Sequence, residues 1–208
     1  MNKAIDYYFA PQSPWAYLGH ARLAAVAAAA HATIRVLPTD FGRVFAASGG
    51  LPLSKRAPQR QAYRLVELAR FRDFLKSPLN LEPCYFPVAA DDAARLIIAV
   101  DLHDGAAAAM RLSAAVFAAV WVQQRNIADA RTLTELLQEG NLPSERLLQS
   151  REPSVQHQFD ANTDAANAAG VFGAPSYCVD GEIFWGQDRL DFLERKLQSM
   201  LSPVGLSR

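Results

Sequence analysis

The sequence has few cysteines, and the two that it has are far apart. Cys84 and Cys178, among 208 residues, are too few for a disulfide framework or a four-ligand zinc site. They are separated by 178 − 84 = 94 positions, which excludes a Cys-x-x-Cys redox motif. Both thiols are therefore expected to be reduced and mostly buried.

Charge of one sign and long apolar runs are also lacking. Lysine and arginine together number 21, as do aspartate and glutamate, so the formal net charge is zero. This balance argues against nucleic acid as a partner, because nonspecific binding needs a positive face. No window approaches 18 consecutive apolar residues, so no membrane association is expected. The start MNKAIDYYFAP lacks the apolar core of a signal peptide, and a cytoplasmic location is expected.

Several motifs of catalysis and cofactor binding are absent as well. The chain has no P-loop, no dinucleotide-binding glycine fingerprint and no Gly-x-Ser-x-Gly elbow. The histidines match neither the spacing of metal ligands nor that of a hydrolase triad: His20, His31, His103 and His157. No metal site is predicted.

The opening 38 residues predict a β-α-β unit. AIDYYF (4–9) and TIRVLP (33–38) have the composition of strands, and the intervening alanine-rich segment predicts a helix from Trp15 to about Ala30. Ser13 followed by Pro14 fits the start of that helix, with serine as its N-cap. The two strands should be parallel, with a right-handed crossover. The apolar face of the helix is predicted to consist of Leu18, Ala21, the stem of Arg22, Ala25 and Ala29.

The remaining segments predict helices, one hairpin and a final helix. Residues 41–157 show no convincing strand and are interpreted as an inserted helical domain. A helix follows at 158–170, then the strands SYCV and EIFW around a tight Asp180-Gly181 turn, then the helix DRLDFLERKLQSML. Without the insertion, the order β-α-β-α-β-β-α is that of thioredoxin. We therefore predict an α/β, thioredoxin-like fold with a large all-helical insertion, its discontinuous domain formed by 1–40 and 158–208.

Three segments contain candidate site residues, and each has a purely structural alternative. Ser13 lies at a strand-to-helix junction, where free N–H groups and the helix dipole favour an anion, but N-capping alone also explains it. Pro175 precedes the hairpin, where a thioredoxin-like layout predicts a cis bond; an ordinary turn proline is the alternative. Asp188 and Gln187 either cap the last helix or hold an amino group.

Basic residues after the second predicted strand are candidates for binding a carboxylate. Arg43, Lys55 and Arg56 lie in a segment that the topology places across the cleft from Ser13. Such charges are usually solvated, which is the alternative interpretation. Arg43 is the residue that we predict to bind substrate.

Two motifs resemble one family. YYFAPQSPWAYLGHARL resembles the start, and AAGVFGAPSYCVDGEIFWGQDRL the end, of 2-hydroxychromene-2-carboxylate isomerases and kappa-class glutathione transferases, a DsbA-like branch of the thioredoxin superfamily. NLEPCYFPV resembles a third, looser segment of that family. The similarity extends from residue 4 to about 197.

The resemblance implies a glutathione-dependent isomerase. Glutathione thiolate would add to a conjugated carbon of an aryl-pyruvate, the new single bond would rotate, and elimination would return the thiolate. Ser13 would donate a hydrogen bond to the thiolate, in place of the redox cysteine of DsbA-like proteins. The residues implied in glutathione binding are Ser54, Ala174, Pro175, Trp185, Gly186, Gln187 and Asp188, with Asp188 facing the γ-glutamyl ammonium.

Three departures from the family pattern bear on the substrate more than on glutathione. Ala16 replaces a second motif serine, Phe45 replaces a lysine common in the isomerases, and Cys84 stands where other members often have a basic residue. The expected partners are a small aromatic substrate from aromatic catabolism and, by resemblance, a second copy in a homodimer. Two alternatives stay open: a kappa-type transferase that conjugates electrophiles, and a noncatalytic thioredoxin-like binding module. A DsbA-like oxidoreductase is disfavoured because Ser13 is not cysteine.

Overall fold

A computed structural model describes residues 3–200. The strands are β1 (Ala4–Phe9), β2 (Thr33–Pro38), β3 (Ser176–Val179) and β4 (Glu182–Trp185). The helices are α1 (Pro14–Ala29), α2 (Phe41–Ser48), α3 (Pro58–Phe74), α4 (Asp91–Asp104), α5 (Ala106–Trp121), α6 (Ala130–Glu139), α7 (Arg146–Gln149), α8 (Pro153–Ala168) and α9 (Leu190–Ser199). Single turns of 3₁₀ helix span Leu53–Lys55 and Gln187–Arg189. The predicted end of the last helix at Leu201 lies outside the described residues.

The four strands form one mixed sheet in the order β2-β1-β3-β4. β1 and β2 are parallel, whereas β3 is antiparallel to both β1 and β4. Asp180 and Gly181 join β3 to β4 with positive φ angles of 51° and 78°, as a type I′ hairpin turn requires. The predicted β-α-β unit, hairpin and order of elements around the insertion are confirmed.

The inserted helices share a core with the sheet. α4 and α5 both pack against β2, and α5 also packs against α1. The Phe9 ring of β1 stacks on Tyr7 at 4.4 Å and meets Phe117 of α5 edge-on at 5.4 Å, and all three rings are buried. Burial of each such ring contributes on the order of 2–3 kcal/mol. The insertion is therefore held over the sheet by a continuous apolar layer, and forms a fixed wall beside the strand ends.

Two boundaries differ from those that the sequence predicts. α2 was not predicted, although Asp40 caps it by accepting the Gly42 N–H at 2.8 Å and Gly49 ends it with a left-handed φ of 74°. α8 begins at Pro153 rather than at residue 158, so the boundary predicted at 157 falls inside this helix. Proline in the first turn is a start signal that explains the earlier beginning.

The buried face of α1 also differs from the predicted one. Leu18 is buried as expected, but Ala21, Ala25 and Ala29 are exposed. The side chains that face the core include Ala16, His20, Leu23 and Ala27. Alanine on every side of the helix removes the polar contrast from which an apolar face is inferred.

Cys178 is buried as expected, whereas Cys84 is exposed in the irregular segment between α3 and α4. That segment carries a cis Phe86-Pro87 bond, and its prolines explain why it is irregular. Within residues 3–200, no helix combines the length and the apolar character that a membrane crossing requires. The same residues contain no group of three or more histidine, cysteine, aspartate or glutamate side chains arranged to hold a metal ion.

His20 is a buried polar residue whose hydrogen bonds favour the neutral ring. Its Nε2 lies 2.9 Å from the Met110 carbonyl oxygen and donates to it, and its Nδ1 then accepts from the Tyr7 hydroxyl at 3.3 Å. Burial lowers the pKa of His20 from 6.5 to about 4. The His20 ring is therefore part of the protein core, and we assign it no catalytic role.

We expect the protein to lose stability on acidification because of His20. Between the unfolded pKa of 6.5 and the folded pKa of about 4, the unfolded chain binds a proton that the folded chain does not, so stability present at neutral pH is lost as pH falls. The gap corresponds to a loss of up to roughly 3 kcal/mol. Urea unfolding at pH 7 and pH 4.5 should show this loss in wild type and a smaller one in His20→Gln. His157→Gln, an exposed position, is the control, and an equal acid loss in His20→Gln would contradict the assignment.

Candidate active site

A cavity of about 900 Å³ opens beside the N-terminus of α1. Its walls come from the first turn of α1, from α2, from the loop at 49–57, from α3, and from the segment before β3. This volume is within the range of roughly 300–1,000 Å³ typical of small-molecule sites. Aromatic side chains supply much of its apolar surface: Trp15, Phe41, Phe45, Phe86, Phe172 and Trp185.

Ser13 lines the cavity and caps α1. Its Oγ accepts the Ala16 N–H at 3.2 Å, and its side chain is buried. A hydroxyl that accepts one bond keeps its proton free to donate. Pro14 has no N–H, and the Trp15 N–H, second in the helix, has no carbonyl of the same helix to bind. This position therefore caps α1 and also carries two donors that could bind an anion.

Ala174 and Pro175 lie across from the start of α1 and are joined by a cis bond, as predicted. Ala174 lines the cavity, and Pro175 is buried behind it. The ladder between β1 and β3 begins only at Ser176, so the backbone of Ala174 lies just beyond it. The Pro175 carbonyl accepts the Gly186 N–H at 2.8 Å, which ties this segment to the end of β4.

Residues 185–188, all predicted to bind glutathione, have different surroundings in the structure. Trp185 lines the cavity, with its indole packed over Gly173 and edge-on to Phe172 at 4.7 Å. Gln187 is turned inward, where its Oε1 accepts from Arg22 at 2.7 Å, so its side chain does not face the cavity. Asp188 does not line the cavity, and its carboxylate pairs with Arg189 at 2.8 Å.

Asp188 does not cap a helix with its side chain. The turn at 187–189 and α9 both start without a side-chain cap. The alternative prediction, that the Asp188 side chain caps the last helix, is therefore wrong. Gly186 has a φ of +99°, and a Cβ there would lie 2.5 Å from the Asp188 carboxylate, so glycine permits this close approach.

The structure brings Ser54 to the cavity but not Arg43. Ser54 lines the cavity from the 3₁₀ turn at 53–55. Arg43 lies on α2 with its guanidinium 3.1 Å from Asp160 and 2.6 Å from Asp164 of α8. The expected placement of Arg43 at the cleft is wrong, because the Asp40 cap starts a helix that turns this side chain towards α8, and Arg43 does not line the cavity.

The positions that depart from the family motifs have different surroundings. Phe45 lines the cavity and lies close to Phe41, with ring centroids 5.9 Å apart. Ala16 is fully buried in the core. Cys84 is exposed, with its N–H donating to the Gln124 side chain at 2.7 Å, and does not line the cavity. Only Phe45 of the three contributes to the cavity surface.

Sequence reasoning missed the cations that do line the cavity. Besides Arg56, these are Arg60 and Arg64 of α3. They recur every four residues in RAPQRQAYR, which is the spacing of one helical face. That spacing was the signal that could have found them.

The comparisons identify the family to which this architecture belongs. The family model of the DSBA-like thioredoxin domain matches residues 4–198. This chain belongs to the DSBA-like thioredoxin family. The thioredoxin-like α/β fold with a helical insertion is thereby confirmed.

Relatives within the DSBA-like family are isomerases and a glutathione transferase. A 2-hydroxychromene-2-carboxylate isomerase from Pseudomonas putida is 32% identical over 91% of this chain and 92% of its own length. Glutathione S-transferase kappa 1 of Homo sapiens is 21% identical over 98% of this chain and 95% of its own. A solved 2-hydroxychromene-2-carboxylate isomerase has a TM-score of 0.80 and 26% identity over 95% of this chain and 96% of that one. The resemblance to this branch is confirmed.

This DSBA-like member has no thiol at its helix N-terminus. Ser13 occupies that place, and neither Cys84 nor Cys178 lines the cavity. Burial, with the Asp6 carboxylate nearby, raises the pKa of the Cys178 thiol to about 11, so it remains protonated. Dithiol chemistry by the chain's own cysteines is therefore disfavoured.

Proposed function

We propose that the protein is a glutathione-dependent isomerase of the 2-hydroxychromene-2-carboxylate isomerase type, acting on an aryl-pyruvate or similar conjugated aromatic substrate. The observation that carries the proposal is Ser13. Its buried hydroxyl has a proton free to donate, at a helix N-terminus that opens into an aromatic cavity without a cysteine. A cytoplasmic location, a place in aromatic catabolism and a homodimer are part of the same proposal.

The residues around the cavity fit glutathione. Ser13 and the Trp15 N–H supply donors for a thiolate, and the helix dipole favours its negative charge. Ala174, before the cis bond, offers backbone groups outside the ladder to an extended peptide. Ser54 and Trp185 line the same cavity. The hydrogen bond from the Gly186 N–H to the Pro175 carbonyl holds the segment before β3 beside the end of β4. Gln187 lies outside the cavity and would act only indirectly, through its hydrogen bond with Arg22.

Bound glutathione would supply a thiolate that adds to the conjugated carbon of the substrate and leaves after rotation about the resulting single bond. Ser13 keeps that sulfur ionised by donating a hydrogen bond, which lowers the pKa of the thiol from its usual value of roughly 8.5. Phe45, Phe86 and Trp15 provide apolar surface for the aromatic ring and exclude water from it. The reaction neither gains nor loses protons overall, because the product is an isomer of the substrate and the thiolate is regenerated.

A direct assay tests the proposal. The full chain is incubated with 2-hydroxychromene-2-carboxylate, with and without glutathione. We expect conversion to the ring-opened isomer only when glutathione is present, and we expect the glutathione to be recovered unchanged. Absence of conversion at saturating glutathione would contradict the proposal.

A kappa-type transferase is the second candidate, and the kappa relative favours it. It would use the same Ser13 and the same thiolate, but release a stable adduct. Mass spectrometry of the products separates the two, because only the transferase consumes glutathione. A noncatalytic binding module, the third possibility, would follow from failure of calorimetric titration to detect glutathione binding.

Asp188, three residues after Trp185 and outside the cavity lining, is proposed to face the γ-glutamyl ammonium of glutathione. We expect Asp188→Asn to weaken glutathione binding by about tenfold, equivalent to ~1.4 kcal/mol, through loss of a charge-assisted hydrogen bond. The melting temperature should hold, because the side chain caps no helix. Calorimetric titration measures the affinity. Asp191→Asn, one turn further at an exposed position, is the matched control, and equal affinity in Asp188→Asn and wild type would remove Asp188 from the site.

A further inference from the structure

Three arginines form one wall of the cavity. Arg60 and Arg64 are four residues apart on α3, so their side chains project from the same face of the helix. Arg56 lies in extended backbone two residues before α3. All three line the cavity. We call this set the arginine row.

The arginine row has no carboxylate partner within the described part of the chain. Ten other arginines of residues 3–200 form ion pairs, whereas no carboxylate oxygen lies within 4.0 Å of a nitrogen of these three. The cavity lining contains two carboxylates, Asp40 and Asp91. Asp40 is engaged in capping α2, and Asp91 lies in the first turn of α4. The row is therefore an unbalanced positive wall.

Arg64 is the most constrained member of the row. Its guanidinium lies over the Phe86 ring at 4.9 Å and over the Trp121 ring at 5.9 Å. Its Nη2 is buried and has no hydrogen-bond partner within residues 3–200. Burial, and then the positive charge of Arg56, lower its pKa to about 10, so it is still charged at neutral pH. A buried, unpaired donor is costly, and an anion in the cavity would remove that cost.

Arg56 is held differently. Its Nε donates to the Leu51 carbonyl at 2.8 Å, and its guanidinium lies 5.9 Å from the Phe45 ring. This fixes Arg56 to the loop that also carries Ser54. Arg60, between Arg56 and Arg64 in the sequence, is exposed. The deep, aromatic end of the row is thus at Arg64.

We propose that Arg64, assisted by Arg60, binds the carboxylate of the electrophilic substrate and selects planar aromatic anions over neutral electrophiles. This rests on the proposed function and adds to it the residues that determine specificity. The Phe86 ring, which lies 4.9 Å from the Arg64 guanidinium, also lines the cavity and offers apolar surface to an aromatic substrate. A guanidinium fork matches a carboxylate in two parallel hydrogen bonds, which an ammonium does not. The arginine row thereby takes the role that a lysine at position 45 would have had.

Glutathione also carries carboxylates, and these are the other source of the same chemistry. Apart from Ser54, in the 3₁₀ turn at 53–55, the residues proposed for glutathione lie at the start of α1 and around β3 and β4, whereas Arg64 lies on α3 of the insertion. We therefore assign Arg64 to the second substrate.

Calorimetric titration with cinnamate and with cinnamamide tests the assignment without requiring turnover. We expect wild type to bind cinnamate at least tenfold more tightly than cinnamamide. Arg64→Gln should lose about tenfold in cinnamate affinity, Arg64→Lys should lose less, and neither should change cinnamamide or glutathione binding. Arg70→Gln is the control, because it removes the same charge from α3 outside the cavity. Melting curves check folding, and Arg60→Gln, at an exposed position, gives a second variant with a smaller loss.

Two outcomes would overturn the assignment. Equal affinities of wild type for cinnamate and cinnamamide would show that the row does not select anions. A loss of glutathione affinity in Arg64→Gln, with cinnamate binding intact, would assign Arg64 to the carboxylates of glutathione. Failure of the isomerase assay with cinnamate selectivity preserved would overturn the proposed function and leave the anion site standing, so the two failures are distinguishable.

Discussion

Ser13→Ala is expected to lower turnover by roughly 10- to 100-fold at neutral pH while changing glutathione affinity little. The lost interaction is a hydrogen bond to a charged sulfur, worth about 1.5–3 kcal/mol. Its removal raises the pKa of the bound thiol by about 1–2 units and lowers the thiolate fraction. Since turnover depends on thiolate, the activity of the variant should continue to rise at alkaline pH after wild type has levelled off. Ultraviolet thiolate absorbance, titrated against pH with glutathione bound, measures the pKa directly.

The controls for Ser13 separate capping from chemistry. Ser13→Ala also removes the cap of α1 and should cost about 1 kcal/mol of stability. Ser13→Thr keeps the hydroxyl and the cap, and should keep most of the activity. Asp129→Ala removes the side-chain cap of α6, away from the cavity, and should lower stability without moving the thiol pKa. If Ser13→Ala changes neither the pKa of the bound thiol nor the turnover, the proposed catalytic role is contradicted and Ser13 only caps α1.

Gly19→Ala is expected to destabilise the fold by about 2 kcal/mol, although alanine favours helix by roughly 1 kcal/mol over glycine. A Cβ at Gly19 would lie 2.6 Å from the Tyr177 hydroxyl and 2.8 Å from the Gln187 Cβ. Both neighbours are buried, so neither has space to withdraw. The added methyl therefore pushes α1 away from β3 and the 187–189 turn. Chemical denaturation of variant and wild type measures the loss.

A second substitution tests the cause of that loss. The Tyr177 hydroxyl is buried without a hydrogen-bond partner in the described residues, so Tyr177→Phe alone should be nearly neutral. In that background Gly19→Ala should cost less, because the nearest atom has gone, but it should still cost something because Gln187 remains. A cycle with no coupling between positions 19 and 177 would mean that the close approach to Tyr177 is not what excludes alanine.

Local patterns determined the elements around the site. Ser13-Pro14 predicted the start of α1, and Asp180-Gly181 predicted the hairpin turn. These features depend on backbone preferences within a few residues, which is the range that a sequence pattern reports directly.

Side-chain direction was decided by tertiary packing. Arg43 was predicted to face the cleft, but α8 supplies two carboxylates that hold it elsewhere. Gln187 was predicted to face a ligand, yet Arg22 of α1 draws it into the interior. In both cases the partner lies more than a hundred residues away in the chain, where no local pattern reports it.

The sequence by itself determined the order of strands and helices outside the insertion, the helix start at Ser13 and the absence of a Cys-x-x-Cys pair. Only the tertiary structure decided which cations enter the cavity. Arg60 and Arg64 are four residues apart, a spacing that solvent-exposed helix faces also show. Only the structure shows that this face of α3 lines the cavity and that Arg64 packs against the Phe86 ring. The physical reason is that periodicity fixes which side chains share a face, whereas packing against the rest of the chain fixes what that face contacts.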